Sequence, residues 1–400
     1  MRVAVPDFCL VLLLGSSRAA TADFAGRHFG PAEVIGPDIA GDALHTTVAH
    51  RLARRVSTAI DVTAATADDR SALLRIAKRT FTQPVAIALL ADGTKGDARI
   101  KALREIFQKL QRDGVRAVHA LREGDAVEIV REPLATDQRD LAGPFDIIGD
   151  VHGCTDELET LLARLGYGIA WHDDGGERRV TITPPPDRRL IFVGDLVDRG
   201  PRTPDALRIV MSAAAAGIGF CVPGNHDARF VRWLEGHNIE ISHGLDRSIE
   251  QMGAESPAFH DAAKAFLHGL PSHMWCDGGR LVVAHGGIAE AMIGRVTGAV
   301  RQFCLFGDTD NATDVEGFPI RYHWAAAYRG APTIVYGHTP IADTEWINNT
   351  LCLDTACCFG NKLSALRWPE REIVAVPALH TYTVRKRPFG HPPLRPSETG

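Results

Sequence analysis

The 400-residue sequence contains no C-x-x-C pair. Its eight cysteines are scattered, at 9, 154, 221, 276, 304, 352, 357 and 358. The adjacent pair Cys357-Cys358 lacks the spacing of a zinc module. This excludes a thiolate zinc finger and suits a reduced, cytoplasmic setting. No apolar run approaches the ~20 residues that span a bilayer, so no membrane partner is expected. An excess of basic charge is also missing, because the formal net charge is -5. Such a chain has no global attraction for nucleic acid or anionic lipid, and any such contact must be a local patch. Internal repeats and low-complexity blocks are absent. What remains is an ordinary globular composition, 45% apolar and 23% charged, at a length that suits about two or three domains.

Two further deficits are local. Phe8 to Leu14 is apolar, with Arg2 before it and Ala19-Ala20 after it, an outline shared with secretory leaders. Pro6 and Asp7 interrupt that outline and the run is too short, so it reads as a buried strand ending at Gly15. The turn Gly15-Ser16-Ser17 then invites a phosphate-loop reading. Such a loop needs glycines to expose backbone N–H groups, then a Lys and a Ser or Thr for charge and magnesium. Here Ala20 stands in place of the second Gly, Thr21 in place of the Lys, and Ala22 in place of the Ser or Thr. Arg18 is one residue out of position. No working nucleotide site is expected there.

Turning to what is present, residues 1–140 alternate strand and helix patterns. Strands are expected at Val11 to Leu14, before Asp61 and at Val85 to Leu90, and a helix over Ala98 to Asp113 with Gly114 as its stop. That alternation implies a parallel sheet in an α/β unit. Asp140 to Pro144 (DLAGP) breaks the pattern and marks a boundary. Beyond it, strands are expected at Phe145 to Asp150, Leu190 to Val193, Phe220 to Val222, Leu281 to Ala284 and Thr333 to Tyr336. Thr155 is expected to cap a helix whose buried stripe is Leu158, Leu161, Leu162 and Leu165 and whose end is Gly166. Thr203-Pro204 opens the next helix.

Every strand of this second region runs into a polar cluster. In order these are Asp150-x-His152, Gly194-Asp195-x-x-Asp198-Arg199-Gly200, Gly224-Asn225-His226-Asp227, His285-Gly286-Gly287 and Gly337-His338-Thr339-Pro340. Asp150 and His152 stand two apart, and alternate side chains of an extended chain share a side. Open α/β sheets hold ligands past the carboxyl ends of their strands. Glycines beside each cluster let the backbone turn sharply and approach an ion. Carboxylate, amide and imidazole ligands without thiolate suit a divalent metal such as Mn, Fe or Zn. Six or seven ligands are too many for one tetrahedral site and fit two metals about 3.5–4 Å apart under a shared carboxylate.

The set GDVHG, GDLVDRG, GNHD, HGG and GHTP closely resembles the binuclear metallophosphoesterases of the calcineurin-like superfamily. The phrases GPFDIIGDVHGC and CVPGNHD, with WINNT and WPEREIVAVPAL downstream, look nearest to the phosphatase domain of bacterial polynucleotide kinase-phosphatase. The asymmetrical dinucleoside tetraphosphatases share the same opening. The resemblance covers about residues 143–380 and implies an α/β/β/α sandwich there, preceded by a remnant of a P-loop-like parallel sheet over 1–140.

By that resemblance Asp150, His152 and Asp195 hold one metal. Asp195 bridges to a second, completed by Asn225, His285 and His338. Two divalent ions are implied, manganese first, with iron, zinc or nickel as alternatives. Arg199 grips the phosphate, His226 protonates the leaving oxygen, and Asp198 orients His226. The expected reaction is hydrolysis of phosphomonoesters, as 3′-phosphate or 2′,3′-cyclic phosphate nucleic-acid ends or nucleotides. Dinucleoside tetraphosphates and phosphoproteins are the alternatives. The first 140 residues resemble that family's kinase in outline, through Gly15-Ser16-Ser17, Asp38 and the DVT at Asp61, but as an inactive form. A different role for them is a docking module for an RNA-repair partner protein. The basic residues Arg51, Arg54, Arg55, Arg75, Lys78 and Arg79 read as a solvated helix face. The Pro-rich stretch 386–400 reads as a disordered tail.

Overall fold

The computed structural model describes residues 1–400 except 37, 38, 40, 91–97, 116, 176, 315–318, 386 and 397–400. Asp38, and residues 386 and 397–400 of the Pro-rich stretch, therefore lie outside the described residues. The chain forms two compact units, 1–135 with 295–297, and 136–294 with 298–400. The boundary precedes DLAGP because Asp137 and Gln138 already pair with a strand of the second unit, beside Trp275 and Cys276.

The first unit runs β1 (Arg2–Pro6), β2 (Leu10–Leu14), α1 (Arg18–His28), β3 (Val34–Ile35), α2 (Gly41–Ala53), β4 (Thr58–Asp61), α3 (Ala67–Arg79), β5 (Pro84–Leu90), α4 (Ala98–Arg112), β6 (Ala117–Arg122) and β7 (Glu128–Glu132). Five of these strands make a parallel sheet in the order β3-β4-β2-β5-β6. The apolar run that resembles a leader is β2, its central strand. Leu10, Leu12 and Leu14 pack into one core with Val48, Leu52, Leu73 and Ile76. Val11 and Leu13 pack into the other with Phe24 and Phe29. A strand covered on both faces has no place for a polar residue, which is why its pattern is continuous rather than alternating.

The second unit contains β8 (Asp137–Gln138), β9 (Phe145–Ile148), α5 (Thr155–Leu165), the ribbon β10 (Gly168–Asp174) and β11 (Glu177–Thr183), β12 (Arg189–Phe192), α6 (Thr203–Ala215), β13 (Gly219–Cys221), α7 (Asn225–Leu234), α8 (Leu245–Met252) and α9 (Pro257–His268). It continues with β14 (Met274–Cys276), β15 (Leu281–Val283), α10 (Gly298–Phe306), β16 (Asp308–Thr313), β17 (Pro319–Tyr322), α11 (Trp324–Ala327), β18 (Thr333–Tyr336), β19 (Trp346–Ile347), β20 (Thr350–Cys352), β21 (Lys362–Trp368) and β22 (Glu372–Pro377).

Two sheets face each other. One has the order β13-β12-β9-β21-β22, the other β19-β20-β18-β15-β14-β8. Between them Phe145, Ile147, Ile191 and Val193 meet Met274, Val283, Val335 and Leu351. On the outer face of the first sheet, Ile148, Leu190 and Phe192 pack under Leu158, Leu161, Leu162 and Leu165 of α5 and Ile209 and Val210 of α6. On the outer face of the other sheet, Ala325 of α11 packs with Tyr336 and Cys352. This is the α/β sandwich expected from the motifs. Each fully buried Leu or Ile contributes about 1.5–3 kcal/mol, so the stripe on α5 alone anchors that helix.

Two cap expectations shift by one residue. Thr155 lies inside α5, whose cap position is Cys154, and its hydroxyl donates to the Arg202 carbonyl at 2.8 Å. Thr203 likewise lies inside α6, after Arg202 at the cap. The Thr155 hydroxyl is drawn to a neighbouring turn and the Thr203 hydroxyl to Ser248 Oγ on α8, at 3.3 Å, instead of to the helix end. Gly166 does end α5, in the left-handed conformation. In the stretch expected to be a disordered tail, Arg387 pairs with Asp314 at 2.7 Å, and the Gly390 N–H donates to the Pro340 carbonyl at 3.1 Å. The His391 ring stacks on His323 at 4.3 Å.

Candidate metal centre

The parallel strands β9, β12 and β13 are neighbours, so their carboxyl ends deliver three adjacent loops: Asp150 and His152, then Asp195 to Arg199, then Asn225 and His226. The parallel pair β15 and β18 delivers His285 and His338. The loops meet. Asp195 is shared by two buried groups of ligating side chains, one with His152 and His226, the other with His285 and His338. In the first, His152 Nε2 lies 3.4 Å from Asp195 Oδ2. In the second, His285 Nε2 lies 3.4 Å from Asp195 Oδ1, 3.1 Å from Asn225 Oδ1 and 3.1 Å from His338 Nδ1. Asp150 reaches the second group through Oδ2, which accepts from the His338 backbone N–H at 3.0 Å.

Hydrogen-bond logic fixes the tautomers. His152 Nδ1 is 2.9 Å from the Val197 carbonyl and His285 Nδ1 is 3.0 Å from the Val193 carbonyl. A carbonyl only accepts, so both Nδ1 atoms carry the proton and both Nε2 atoms present lone pairs. These lone pairs point at carboxylate and amide oxygens. Acceptor facing acceptor in a buried place repels unless a cation sits between. Asp150 Oδ1 and His338 Nε2, also buried, have no hydrogen-bond partner among the described residues. The His152 lone pair is taken by a cation already, the Arg199 guanidinium at 2.6 Å. The donor set therefore fits divalent ions on chemical grounds.

Electrostatics agree. Burial pushes Asp195 up to about 7. Burial, with Asp354 and Asp195 as like charges nearby, raises Asp150 well above the usual carboxylate range. Burial brings His285 down to about 4, and burial with Arg199 holds His152 well below its ordinary value. Carboxyls that resist ionising and imidazoles that resist protonation are stabilised together by cations placed among them.

The backbone pays for this convergence. His152, Asp195, Asp198, Arg199 and His338 all have positive φ, between 46° and 74°. Left-handed conformations cost non-glycine residues about 1–3 kcal/mol each and collect at functional sites. Two glycines are required by contact. A Cβ on Gly337 would overlap Asp150 Oδ1, and one on Gly224 would overlap Asp195 Oδ1.

Beside the ligands, His226 Nδ1 donates to Asp198 Oδ2 at 2.6 Å, and the other Asp198 oxygen accepts from Ser248 Oγ at 2.8 Å. Arg229 Nη2 also donates to Asp198 Oδ2, at 2.7 Å. His226 Nε2 accepts from Arg199 Nη2 at 2.8 Å. Burial, then Arg199, holds His226 well below its ordinary value, so the ring is neutral.

All nine residues singled out from the sequence thus meet at one place: Asp150, His152, Asp195, Asp198, Arg199, Asn225, His226, His285 and His338. Sequence patterns missed others. Asp227 closes the GNHD motif without an expected role; its Oδ1 accepts from the Leu196 N–H and its Oδ2 from the Gly224 N–H, both at 2.9 Å. It ties two ligand-bearing loops together. Asp354, buried just past β20, acts electrostatically on Asp150, Asp195 and Arg199. It too follows a strand end, but without the adjacent glycine that marked the other clusters. Arg321 and Arg385, also near the ligands, carried no motif at all.

The chain belongs to the calcineurin-like phosphoesterase family, whose profile matches residues 143–366. It is accordingly a hydrolase of phosphoric esters. Among curated proteins it is 40% identical over 250 residues to the asymmetrical bis(5′-nucleosyl)-tetraphosphatase PrpE of Anoxybacillus flavithermus, across 61% of this chain and 99% of that protein. It is 38% identical over 246 residues to the protein of the same description from Bacillus subtilis, across 60% of this chain and 96% of the other. A solved structure described as a candidate diadenosine tetraphosphatase is 22% identical with a TM-score of 0.44, across 61% of this chain and 98% of that one.

Proposed function

We propose that the second unit hydrolyses dinucleoside polyphosphates asymmetrically, through two divalent cations held by Asp150, His152, Asp195, Asn225, His285 and His338. The observation that carries the chemistry is the crowding of lone pairs around Asp195, where the Nε2 atoms of His152 and His285 face carboxylate and amide oxygens. The choice of substrate is supported by the relatives, which bear the name of the tetraphosphatase branch and not of the RNA-repair branch that the sequence phrases suggested first.

The bound cations would neutralise phosphoryl charge and lower the pKa of an attacking water. The chain's own residues do the rest. Arg199 presents a planar fork to phosphate oxygens. Asp198, held by Arg229 and Ser248, fixes the His226 ring with its Nε2 toward Arg199. A bound phosphate dianion would offset the Arg199 charge and raise the proton affinity of that nitrogen, which then supplies the leaving oxygen with its proton. Manganese is the first ion to try.

The test is incubation of the full chain with manganese and diadenosine tetraphosphate. The expected products are ATP and AMP. Two molecules of ADP, or no turnover, would end the tetraphosphatase reading. Hydrolysis of p-nitrophenyl phosphate in the same buffer tests the wider phosphatase reading separately. For residues 1–135 we propose a non-catalytic, kinase-like remnant that serves as a docking module. What supports its lack of catalysis is the loop after β2, where two N–H groups are spent internally, that of Gly15 on Thr63 at 2.9 Å and that of Ser16 on Glu123 at 3.2 Å.

A further inference from the structure

Arg321 lies on β17, and among the described residues its guanidinium makes no hydrogen bond and no ion pair. It lines a small pocket together with Gly286 of the His285 turn and Thr339 of the His338 turn, and its charge disfavours a proton on His338 and is favoured by Asp195. Its other electrostatic neighbours are cations, Arg385, Arg387 and Arg199. Arg385 is a second cation in the same surroundings. Its guanidinium carbon is 5.9 Å from the Phe359 ring centroid and 5.2 Å from that of Phe389. One Nη donates to the Pro340 carbonyl at 3.0 Å, which leaves most of its five donors for other partners. Arg199, the residue assigned to the scissile phosphate, sits 5.0 Å from the centroid of the same Phe359 ring.

The local carboxylates do not balance these charges. Asp314 is engaged by Arg387 and Asp308 by Arg395. Asp150 and Asp195 belong to the proposed ligand set, which leaves Asp354 to offset Arg385. Burial and then crowding by like charge lower the proton affinity of both Arg321 and Arg385, yet each remains charged at neutral pH. Two half-buried guanidinium groups beside a third, with most of the nearby acids already engaged, make a site that attracts an extended polyanion. A single phosphate on the metals and Arg199 would leave it unanswered.

We propose that Arg321 and Arg385 form a second anion subsite, which receives a phosphate of the substrate neighbouring the one that is cleaved. This rests on the phosphoesterase reading of the centre above and supplies its preference for polyphosphate chains over simple monoesters. Arg385 belongs to the segment beyond β22, so the approach to the Pro-rich tail furnishes part of the specificity. It is a positioning residue for the bound chain and touches no reacting atom.

The experiment compares kcat/KM for diadenosine tetraphosphate and for p-nitrophenyl phosphate in the full-length manganese enzyme and in Arg385→Ala, Arg385→Lys and Arg321→Ala. Loss of a charge-assisted contact should lower the ratio of the two constants by about 10–100-fold in each alanine variant, mainly through KM. Arg385→Lys should recover part of it, because a point charge remains without the fork. A ratio unchanged from wild type in both alanine variants overturns the proposal. A second arm does not need the tetraphosphate reaction. Inhibition of p-nitrophenyl phosphate hydrolysis by inorganic tripolyphosphate should exceed that by orthophosphate in the wild type, and Arg385→Ala should erase the difference. If the wild type cleaves p-nitrophenyl phosphate but not the tetraphosphate, the substrate reading fails while this arm still decides the subsite. Equal inhibition by the two anions in the wild type would overturn it.

Discussion

The turn after β2 in the first unit and the turns after β9, β12 and β13 in the second unit are alike in sequence. Each is an apolar strand that runs into small and polar residues. Their hydrogen bonding differs. In the first, Ser17 caps α1 by accepting from the Ala20 N–H at 3.2 Å, and Thr21 donates to Asp61 at 2.8 Å. The Ser16 hydroxyl is bonded to Glu123. The Gly15 and Ser16 N–H groups there already meet acceptors, and the Glu123 carboxylate stands where a phosphate would have to come. In the second unit, acceptors meet acceptors around Asp195. A satisfied turn is finished as structure, while a turn with surplus lone pairs needs something from outside the chain.

The sharpest way to break that contrast is Asp195→Ala. It removes the carboxylate common to both ligand groups, and manganese-dependent hydrolysis of p-nitrophenyl phosphate should fall to background. Retained turnover would show that the convergence has no chemical role. Next in size is His226→Ala, which should keep its metal content by elemental analysis yet lose roughly 10²–10⁴ in kcat, as for loss of a general acid. Loss of metal together with activity would instead make His226 a ligand.

A smaller effect separates satisfied from unsatisfied carboxylates by pH. Asp277 accepts from Trp368 Nε1 at 2.7 Å and from the Gly143 N–H at 3.3 Å, and these bonds with Arg280 outweigh burial and hold its pKa below the ordinary value. A depressed carboxyl lends stability that is present above its unfolded pKa, about 4, and lost as pH falls through the folded value. Asp277→Asn should therefore flatten the acid limb of the stability curve, read from urea midpoints between neutral pH and about pH 3. An unchanged limb would refute that assignment. The smallest expected effect is none. Thr21→Lys restores the missing Lys of the phosphate loop, yet radiolabel transfer from ATP to a 5′-OH oligonucleotide should stay at background because Glu123 and Thr63 still occupy the N–H groups. Robust labelling would overturn the view of this turn as closed.

The ligand set was legible because each of its members combined a strand end, a chemically able side chain and, in most cases, a glycine. Asp354 lacked the glycine and was passed over. Asp227 was visible but mute, since a carboxylate that ties loops looks the same in sequence as one that binds an ion. Arg321 and Arg385 sit outside any motif, and only folding places them beside Arg199. The helix caps lie one residue before Thr155 and Thr203 because the partners that compete for those hydroxyls, the Arg202 carbonyl and Ser248 of α8, are more than 40 residues away in the chain. The tail was judged by its prolines, but His391 and Arg387 find specific partners that composition does not register.

The two bonds of Asp227 have one more consequence. Because Asp227 clasps its own Gly224 across the first turn of α7, the loop after β12 parts from that turn by giving up one bond, that of the Leu196 N–H. Amide exchange at Leu196 should therefore report the integrity of the centre before the surrounding sheets begin to open, while exchange at Gly224 follows the first turn of α7.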